Sequence, residues 1–466
     1  MLFYIYTIFH SFRPFFSRKV AWLHFCSVVL GMIACMEMGG VSSLCRFWHM
    51  NEQGYLSLLH FFRASSWNHL TLMNHWTRYV IQKGPVLNNK GRLLMLADHT
   101  YQPKDGRRMP GVVTLHQKSE TQSKPSFFRG QCWAVLSMVI GSKEGYFSLP
   151  VLAKLDQGYA HLKQTPELSQ SQRPVAMAQD FACEQQRPVD LVLDAYFGTE
   201  PVFEQAKSIC DENEKPWVEV ITKAKKNYVA RTEQGETIHL SKEFESEGFQ
   251  QAECQLYGQL ENVAFKVRNL SWGKSRPIRF IWVKSRLGKM VLMCSNLDQE
   301  PIKAIEAYGL RMKIEVMFDR LKNLLGAFEF HFWTQKLPSH SRRPKKNNAL
   351  KEPDTEDLKK VELCWLAYER FVNLGCIALG VLQLLAVGFP EQIWQNFQSF
   401  LRTRRNTLPS ERVVRFVLAK HIQQQLGKVT SGATLRQIHD YHKNAGFLDP
   451  PLEEDCEVLC PLSYTA

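Results

Sequence analysis

The sequence predicts an α/β protein with a mixed sheet, flanked by helical regions at both ends of the chain. Two observations carry this prediction. In the middle of the chain, short apolar runs alternate with helical segments in the order strand, hairpin, helix, strand, helix, strand. The first 85 residues and the part after residue 356 instead have a helical pattern. Strands and helices that alternate in this way build a sheet with helices against its faces.

The individual elements are predicted from apolar runs and from the breaks between them. A run at 92–97 ends at Asp98, and a run at 189–193 ends at Asp194. Residues 223–275 are more polar, with short alternating pieces, and predict a β-rich insertion. The other expected elements are a hairpin at 131–140 and 146–155, helices at 174–186 and 201–213, a strand at 217–222, a hairpin at 278–284 and 290–295, and a helix from about 301 to 325.

These elements divide the chain into six segments. A helical region ends at the break Lys83-Gly84-Pro85, and a basic, proline-containing linker separates the last sheet elements from the C-terminal helices. The segments are 1–85 (helical), 86–222 (first part of the sheet), 223–275 (insertion), 276–333 (rest of the sheet and its helix), 334–356 (linker) and 357–466 (helical).

Composition limits the classes of function. Of the 466 residues, 45% are hydrophobic and 22% are charged, which excludes a fully disordered chain. Lys and Arg number 58 against 45 Asp and Glu, so the net charge is +13. This excess indicates a polyanionic partner, either nucleic acid or an anionic membrane surface. Twelve cysteines without a Cys-x-x-Cys pair predict reduced thiols and a cytoplasmic location.

Two uncharged apolar runs, 20–36 and 371–390, approach the length of a membrane span. The first contains His24, and the second contains Asn373 and Gln383. Because polar residues interrupt both runs, we expect buried helices and no membrane partner. A membrane-associated basic protein is the alternative that this pattern leaves open.

Two aspartates and one helix carry the candidate chemistry. Asp98 and Asp194 each follow a predicted core strand, and ligands of open α/β sheets bind at the carboxyl ends of strands. Either aspartate alone is more often a turn or cap residue. The helix near 301–325 carries Tyr308, Arg311, Glu315 and Lys322 on one stripe among apolar residues, which predicts a partly covered groove. A solvated face with paired charges is the alternative.

The spacing Tyr-x2-Arg-x3-Glu-x6-Lys, with its surrounding sequence YGLRMKIEVMFDRLK, resembles the signature of the insertion-sequence transposases that have a DDE active site. The stretch DLVLDAYF (190–197) resembles their second-aspartate motif. The stretch LADHTYQPKDGRRMPGVVTLHQKSETQSKP (96–125) resembles their first-aspartate region and following loop. The resemblance covers about residues 90 to 330 and extends more loosely into 40–46 and 55–67.

This resemblance implies an RNase H-like fold with a mostly β insertion between the second aspartate and the glutamate. It implies Asp98, Asp194 and Glu315 as catalytic residues that bind two Mg²⁺ ions, with Mn²⁺ able to substitute. DNA contacts would come from Tyr308 and from the two cations, which are Arg311 and Lys322. The implied function is a DNA transposase that binds terminal inverted repeats, cleaves phosphodiester bonds at element ends and joins 3′-hydroxyls to target DNA.

The resemblance also implies partners and a location. Double-stranded DNA would be bound as terminal inverted repeats and as target, with 1–85 as the end-recognition domain. A homodimer is expected in the synaptic complex, with 357–466 as a possible dimerisation region, and the cytoplasmic protein would be associated with the nucleoid. Two alternatives remain: a decayed transposase that binds DNA without cutting it, and a general nuclease of the same fold.

Several residues compete with these assignments. Asp319 lies on the same stripe as Glu315, Asp105 lies in a basic loop, and Asp190 begins its strand at the wrong end. We expect His99 to be structural. Some relatives hold a flipped base on a tryptophan of the insertion; Trp272 and Trp282 are candidates, although packing is the more common role of a tryptophan.

Overall fold

The computed structural model describes residues 1–37, 39–116, 127–156, 168–274, 276–339, 357–400 and 407–426. Most of the expected linker (340–356) and the end of the C-terminal region (427–466) therefore lie outside the described residues, as does the stretch 117–126 in the loop after Asp98.

The helices, in chain order, are α1 (Leu2–Ser11), α2 (Lys19–Ala34), α3 (Val41–Phe47), α4 (Glu52–Phe61), α5 (His69–Lys83), α6 (Arg173–Gln185), α7 (Glu200–Ala206), α8 (Pro301–Gly309), α9 (Met312–Asp319), α10 (Leu358–Gly388), α11 (Pro390–Asn396) and α12 (Glu411–Leu426). The strands are β1 (Asn88–Asn89), β2 (Arg92–Pro103), β3 (Val113–His116), β4 (Phe127–Ser142), β5 (Gly145–Leu155), β6 (Val189–Val192), β7 (Val218–Lys223), β8 (Val229–Arg231), β9 (Thr237–His239), β10 (Gln250–Leu256), β11 (Gln259–Trp272), β12 (Arg276–Ser285) and β13 (Gly288–Cys294). The described chain forms two compact units. We call Met73–Arg320 with Phe332–Trp365 the sheet unit, and Met1–Leu72, Leu321–His331 and Leu366–Ala466 the helical unit.

The sheet unit is built on a mixed sheet whose central order is β5-β4-β2-β6-β7. Strands β2, β4 and β5 form an antiparallel meander, whereas β6 and β7 run parallel to β2. Beyond β7 the sheet continues through β13, β12 and β11, which are antiparallel to one another. The α/β class with a mixed sheet and flanking helices is therefore confirmed.

The insertion is continuous with the sheet. Strand β11 pairs with β10 on one side and with β12 on the other, while the short strands β8 and β9 extend the edge beyond β11. The mostly β character expected of 223–275 is confirmed. Pairing between β11 and β12 connects this segment directly to the hairpin that was expected at 278–295.

Three expected boundaries were wrong. Strand β2 does not end before Asp98 but runs to Pro103, because its antiparallel pairing with β4 continues past the aspartate. Helix α7 ends at Ala206 instead of residue 213. The expected helix 301–325 consists of α8, α9 and a π-helical turn at Arg320–Leu324. It breaks after Gly309 because glycine is a poor helix former and the next amides bond three residues back.

The helical unit has a core rich in aromatic side chains. Phe9, Phe12 and Phe16 surround the ring of Phe25, with ring centroids 4.8 to 5.7 Å apart. Two buried arginines connect the C-terminal helices to the N-terminal segment. Arg370 of α10 donates to backbone carbonyls of residues 62, 64 and 67, and Arg415 of α12 donates to those of residues 33, 35 and 324.

Both apolar runs form helices whose side chains are mostly buried. Helix α2 is too short for a span, and α10 is the one described helix that is long and apolar enough to cross a membrane. In its most apolar window, 89% of α10 is buried inside the protein. A core helix passes the same test of length and composition, and this burial agrees with the expectation of buried helices.

Candidate active site

The register of the sheet brings the two aspartates to the same level. Strand β6 pairs in parallel with β2, with Leu96 opposite Val192. Asp98 and Asp194 lie two residues further along the chain from this pair, Asp98 within β2 and Asp194 just after β6. Both therefore lie at the same end of the parallel ladder. The ladder to β6 stops at this point while β2 continues along β4. The aspartates thus lie where neighbouring strands separate, at the carboxyl end of the parallel pair.

The third element of the site is the join between α8 and α9. Arg311 lies in this join, and Glu315 lies one turn further along, in α9. Helix α9 packs against the sheet, where the Ser148 hydroxyl of β5 donates to the Met317 sulfur at 3.6 Å. Helix α9 lies over β5 and β2, and Arg311 before it and Glu315 within it lie near the two aspartates.

One guanidinium brings the three predicted carboxylates together. Arg311 lies 3.8 Å from Asp98 (Nη1 to Oδ2), 3.7 Å from Asp194 (Nε to Oδ1) and 3.4 Å from Glu315 (Nη1 to Oε1). The side chain of Arg311 is only 16% exposed, whereas Glu315 and Asp194 are nearly half exposed. The carboxylates therefore line a site that is closed on the arginine side and open to solvent on the other.

The charges at this site shift the pKa of its members. Burial, together with the carboxylates of Glu315 and Asp194, raises the pKa of Asp98 to about 6, although the backbone N–H of His99 donates to Asp98 Oδ1 at 2.7 Å and opposes the shift. Burial acts to lower the pKa of Arg311, but the surrounding carboxylates outweigh it and raise this pKa. A site that holds three carboxylates near one cation favours a further positive charge.

The other two residues of the signature differ in their placement. Tyr308 is 6% exposed, and burial is the main reason why its pKa is raised, with a further contribution from Asp194. Lys322 lies in the π-helical turn, within the part of the chain that belongs to the helical unit. The expected single stripe is interrupted on both sides of α9. Within the stripe, Arg311 pairs with Glu315, and it also pairs with the two aspartates.

The competing carboxylates have other partners or positions. Asp190 is buried at the start of β6 and binds Arg92 Nε at 2.6 Å, so it connects β2 to β6 at the end of these strands opposite to Asp98 and Asp194. Asp319 pairs with the neighbouring Arg320, and Asp105 is exposed in its loop. The ion pairs of Arg311 involve none of these three residues.

The two tryptophans of the insertion region are packed. Trp282 is completely buried, and its indole N–H donates to the carbonyl of Leu240 at 2.7 Å. Trp272 is partly buried, between the rings of Tyr228 and Phe203 at centroid distances of 5.3 and 5.8 Å. These contacts agree with the packing role that was expected for both.

A second group of polar residues was missed by the sequence reasoning. His99, Cys132 and Asp156 lie together, with one possible ligand atom from each within 4.8 Å of the others. His99 was considered alone, and neither partner drew attention. The only signal in the sequence was Asp156 directly after an apolar strand, which is the pattern that singled out the other two aspartates.

Comparisons with known proteins do not identify a family for this chain. No protein-family model matches the chain, and no curated protein matches it. Among solved structures, the NurA nuclease from Sulfolobus solfataricus aligns with 61% of this chain and 100% of its own at 11% identity, with a TM-score of 0.21. A TM-score this low carries no argument about fold or function, so the assignment depends on the residues of the site.

Proposed function

We propose that the protein is a DNA transposase with a DDE active site. In this proposal it binds terminal inverted repeats, cleaves phosphodiester bonds at the element ends and joins the resulting 3′-hydroxyls to target DNA. Asp98, Asp194 and Glu315 are the catalytic carboxylates.

One observation carries the proposal, namely the convergence of these three carboxylates on Arg311 at 3.4 to 3.8 Å. The residues come from three separate elements, and they were selected from ordered sequence motifs. A structural ion pair needs one carboxylate for each arginine. Three carboxylates at one cation, two of them nearly half exposed, instead fit a site that concentrates negative charge to bind metal ions.

The donor set suits Mg²⁺, which prefers oxygen ligands and binds through a few carboxylates together with substrate phosphates. Asp98, central and least exposed of the three, would bridge two ions, and Asp194 and Glu315 would each complete one; Mn²⁺ is expected to substitute. Such a pair of ions stabilises the attacking and leaving oxygens of a phosphodiester during displacement. The guanidinium of Arg311 already places one positive charge among the same carboxylates.

The protein's own cations would bind DNA. Arg311 is near all three carboxylates without a short bidentate contact to any of them, so its donors remain suited to a phosphate, which a guanidinium binds through two parallel hydrogen bonds. Lys322 would add a second phosphate contact. Tyr308 is buried, and so its proposed DNA contact would involve only the small exposed part of its side chain. The net charge of +13 supports a DNA partner, since phosphate contacts dominate DNA affinity.

The test uses DNA that carries the element's own flanking repeats, with the full-length protein in Mg²⁺. The native protein should cut at the repeat end and join the freed 3′-hydroxyl to a second DNA. Glu315→Gln should lose cutting, because a carboxamide is a poor metal ligand. Asp319→Asn, four residues away and paired with Arg320, is the matched control and should retain cutting.

Other results would replace the proposal. Loss of cutting in Asp319→Asn but not in Glu315→Gln would move the third carboxylate to Asp319. Cutting of any DNA without joining would identify a general nuclease. Tight binding of repeat DNA with no cutting in Mg²⁺ or Mn²⁺ would identify a protein that only binds DNA.

A further inference from the structure

A second cluster of ligand-type side chains lies on the face of the sheet opposite the carboxylates. Neighbouring residues of a strand point to opposite faces, so His99 points away from the face of Asp98. Tyr101 of β2 shares the face of His99 and lies directly opposite Cys132 of β4. Asp156 follows β5, and its amide donates to the carbonyl of Cys132 at 2.8 Å. Three adjacent strands thus bring one histidine, one cysteine and one aspartate to the same place.

The cluster is deeply buried. The side chains of His99 and Asp156 are 5% and 1% exposed, and Cys132 is fully buried. His99 Nε2 and Asp156 Oδ2 lie 3.1 Å apart. This distance is that of an ion pair, but the contact lacks the geometry of a hydrogen bond, and neither atom forms a hydrogen bond with the residues that the structure describes. Buried polar atoms without hydrogen bonds are uncommon and costly, so these two atoms are well placed to bind a shared ligand.

Each of the three side chains also has a contact outside the cluster. Arg173 Nη1 donates to Asp156 Oδ1 at 2.9 Å, which leaves Oδ2 directed towards His99. Gln170 Nε2 donates to the sulfur of Cys132 at 3.1 Å. The ring of His99 stacks on Phe197 with centroids 5.5 Å apart. Outer partners of this kind orient metal ligands and fix which atom faces the ion.

We propose that His99, Cys132 and Asp156 bind a single zinc ion. Nitrogen, thiolate and carboxylate are the ligands that zinc takes in proteins, and Mg²⁺ does not select a set containing sulfur. Tetrahedral zinc places its nitrogen and oxygen ligands roughly 3.3 Å apart and its sulfur roughly 3.6 Å from either. The observed nitrogen–oxygen distance is 3.1 Å, and one ligand atom of each residue lies within 4.8 Å of the others, so rotation of the side chains would bring the three ligands to these distances.

The three residues leave one position of a tetrahedral ion for a fourth ligand. They also connect β2, β4 and the end of β5. His99 directly follows Asp98 and donates its backbone N–H to that carboxylate. The zinc ion would therefore fix β2 at the residue next to the proposed catalytic aspartate while taking no part in cleavage.

The test is made on the full-length protein without reference to cleavage. Protein produced in cells grown with zinc and then dialysed should retain about one zinc ion per chain. After exchange into Co²⁺, it should show the thiolate-to-cobalt charge-transfer absorption and the strong visible bands of a tetrahedral ion. Cys132→Ser should lose the charge-transfer band. Cys294→Ser, also at a buried cysteine of the sheet unit, is the matched control and should keep it.

X-ray absorption of the zinc-loaded native protein requires no variant, so it decides the question even if Cys132→Ser fails to fold. It should show one sulfur at about 2.3 Å and the other ligands near 2.0 Å. Native protein without retained zinc or a charge-transfer band would overturn the proposal, and His99 and Asp156 would then be a buried ion pair. Zinc bound without sulfur would equally overturn it. Asp194→Asn should keep the cobalt spectrum, so the outcome is independent of the transposase proposal.

Discussion

The sheet unit and the helical unit both bury arginines, but they use them in opposite ways. In the helical unit, Arg370 and Arg415 donate to backbone carbonyls, and Arg370 also stacks on Trp67 with 4.3 Å from its guanidinium carbon to the ring centroid. In the sheet unit, the guanidinium of Arg311 instead forms ion pairs with three carboxylates. In the helical unit the arginine donors are satisfied by neutral carbonyls, whereas in the sheet unit one arginine lies among three negative charges.

The pKa values of the buried arginines differ between the two units. Burial lowers the pKa of Arg370 to about 10, and burial likewise lowers the pKa of Arg415, since neutral carbonyls do not balance the buried charge. The carboxylates around Arg311 raise its pKa despite burial. An arginine that connects backbone segments contributes to stability. An arginine among several carboxylates instead indicates a site whose negative charge serves binding or catalysis.

The largest expected effect is on activity in the sheet unit. Asp194→Asn should reduce cleavage of repeat DNA by at least roughly 10³-fold, because metal ions supply several kcal/mol of transition-state stabilisation. Its free energy of unfolding should change by less than about 1 kcal/mol, since the side chain is 42% exposed. Asp298→Asn, at an exposed aspartate, serves as control. Equal activity of the two variants would remove Asp194 from the site.

The second effect is on stability in the helical unit. Arg415→Met should lower the free energy of unfolding by roughly 3 kcal/mol, because three buried carbonyls lose their donors. Arg412→Met, at an exposed position of the same helix, should change it by less than about 0.5 kcal/mol. Urea denaturation followed by circular dichroism measures both. Similar values for the two variants would show that the carbonyl contacts do not stabilise the unit.

A smaller effect is expected on stabilisation by Mg²⁺, and its measurement tests whether Arg311 competes with a metal ion for the three carboxylates. Mg²⁺ should stabilise Arg311→Met by roughly 1 kcal/mol more than it stabilises the native protein, because the ion then meets three carboxylates without a competing guanidinium. Thermal unfolding with and without Mg²⁺ gives the comparison. Arg286→Met, at a largely exposed arginine of the same unit, should respond like the native protein. Equal stabilisation of native protein and Arg311→Met would contradict the competition.

The smallest effect is expected where an arginine is exposed. Arg46 pairs with Glu37 at 2.8 Å, and both side chains are about 60% exposed. Arg46→Ala should change the free energy of unfolding by less than about 0.5 kcal/mol, because solvent screens such pairs. The same urea measurement applies. A loss of unfolding free energy comparable with that of Arg415→Met would mean that burial does not determine how much an arginine contributes to stability.

The sequence predicted much of the fold and the identity of the candidate residues. The alternation of apolar runs was sufficient for the mixed sheet and its β insertion, because strand and helix patterns are local. The same pattern did not predict where β2 ends or that the helix breaks near Gly309. The first depends on pairing with a strand distant in sequence, and the second on local backbone bonds within an otherwise continuous helical pattern.

The sequence by itself determined which residues carry candidate chemistry, since a spaced motif such as Tyr308 to Lys322 is written in one stretch of chain. Only the tertiary structure decided that Asp98 and Asp194 lie level, and that a single arginine contacts both. It also decided that His99 meets a cysteine and an aspartate from two other strands. The physical reason is that strand register and helix packing bring together residues that are far apart along the chain, and no local pattern encodes those distances.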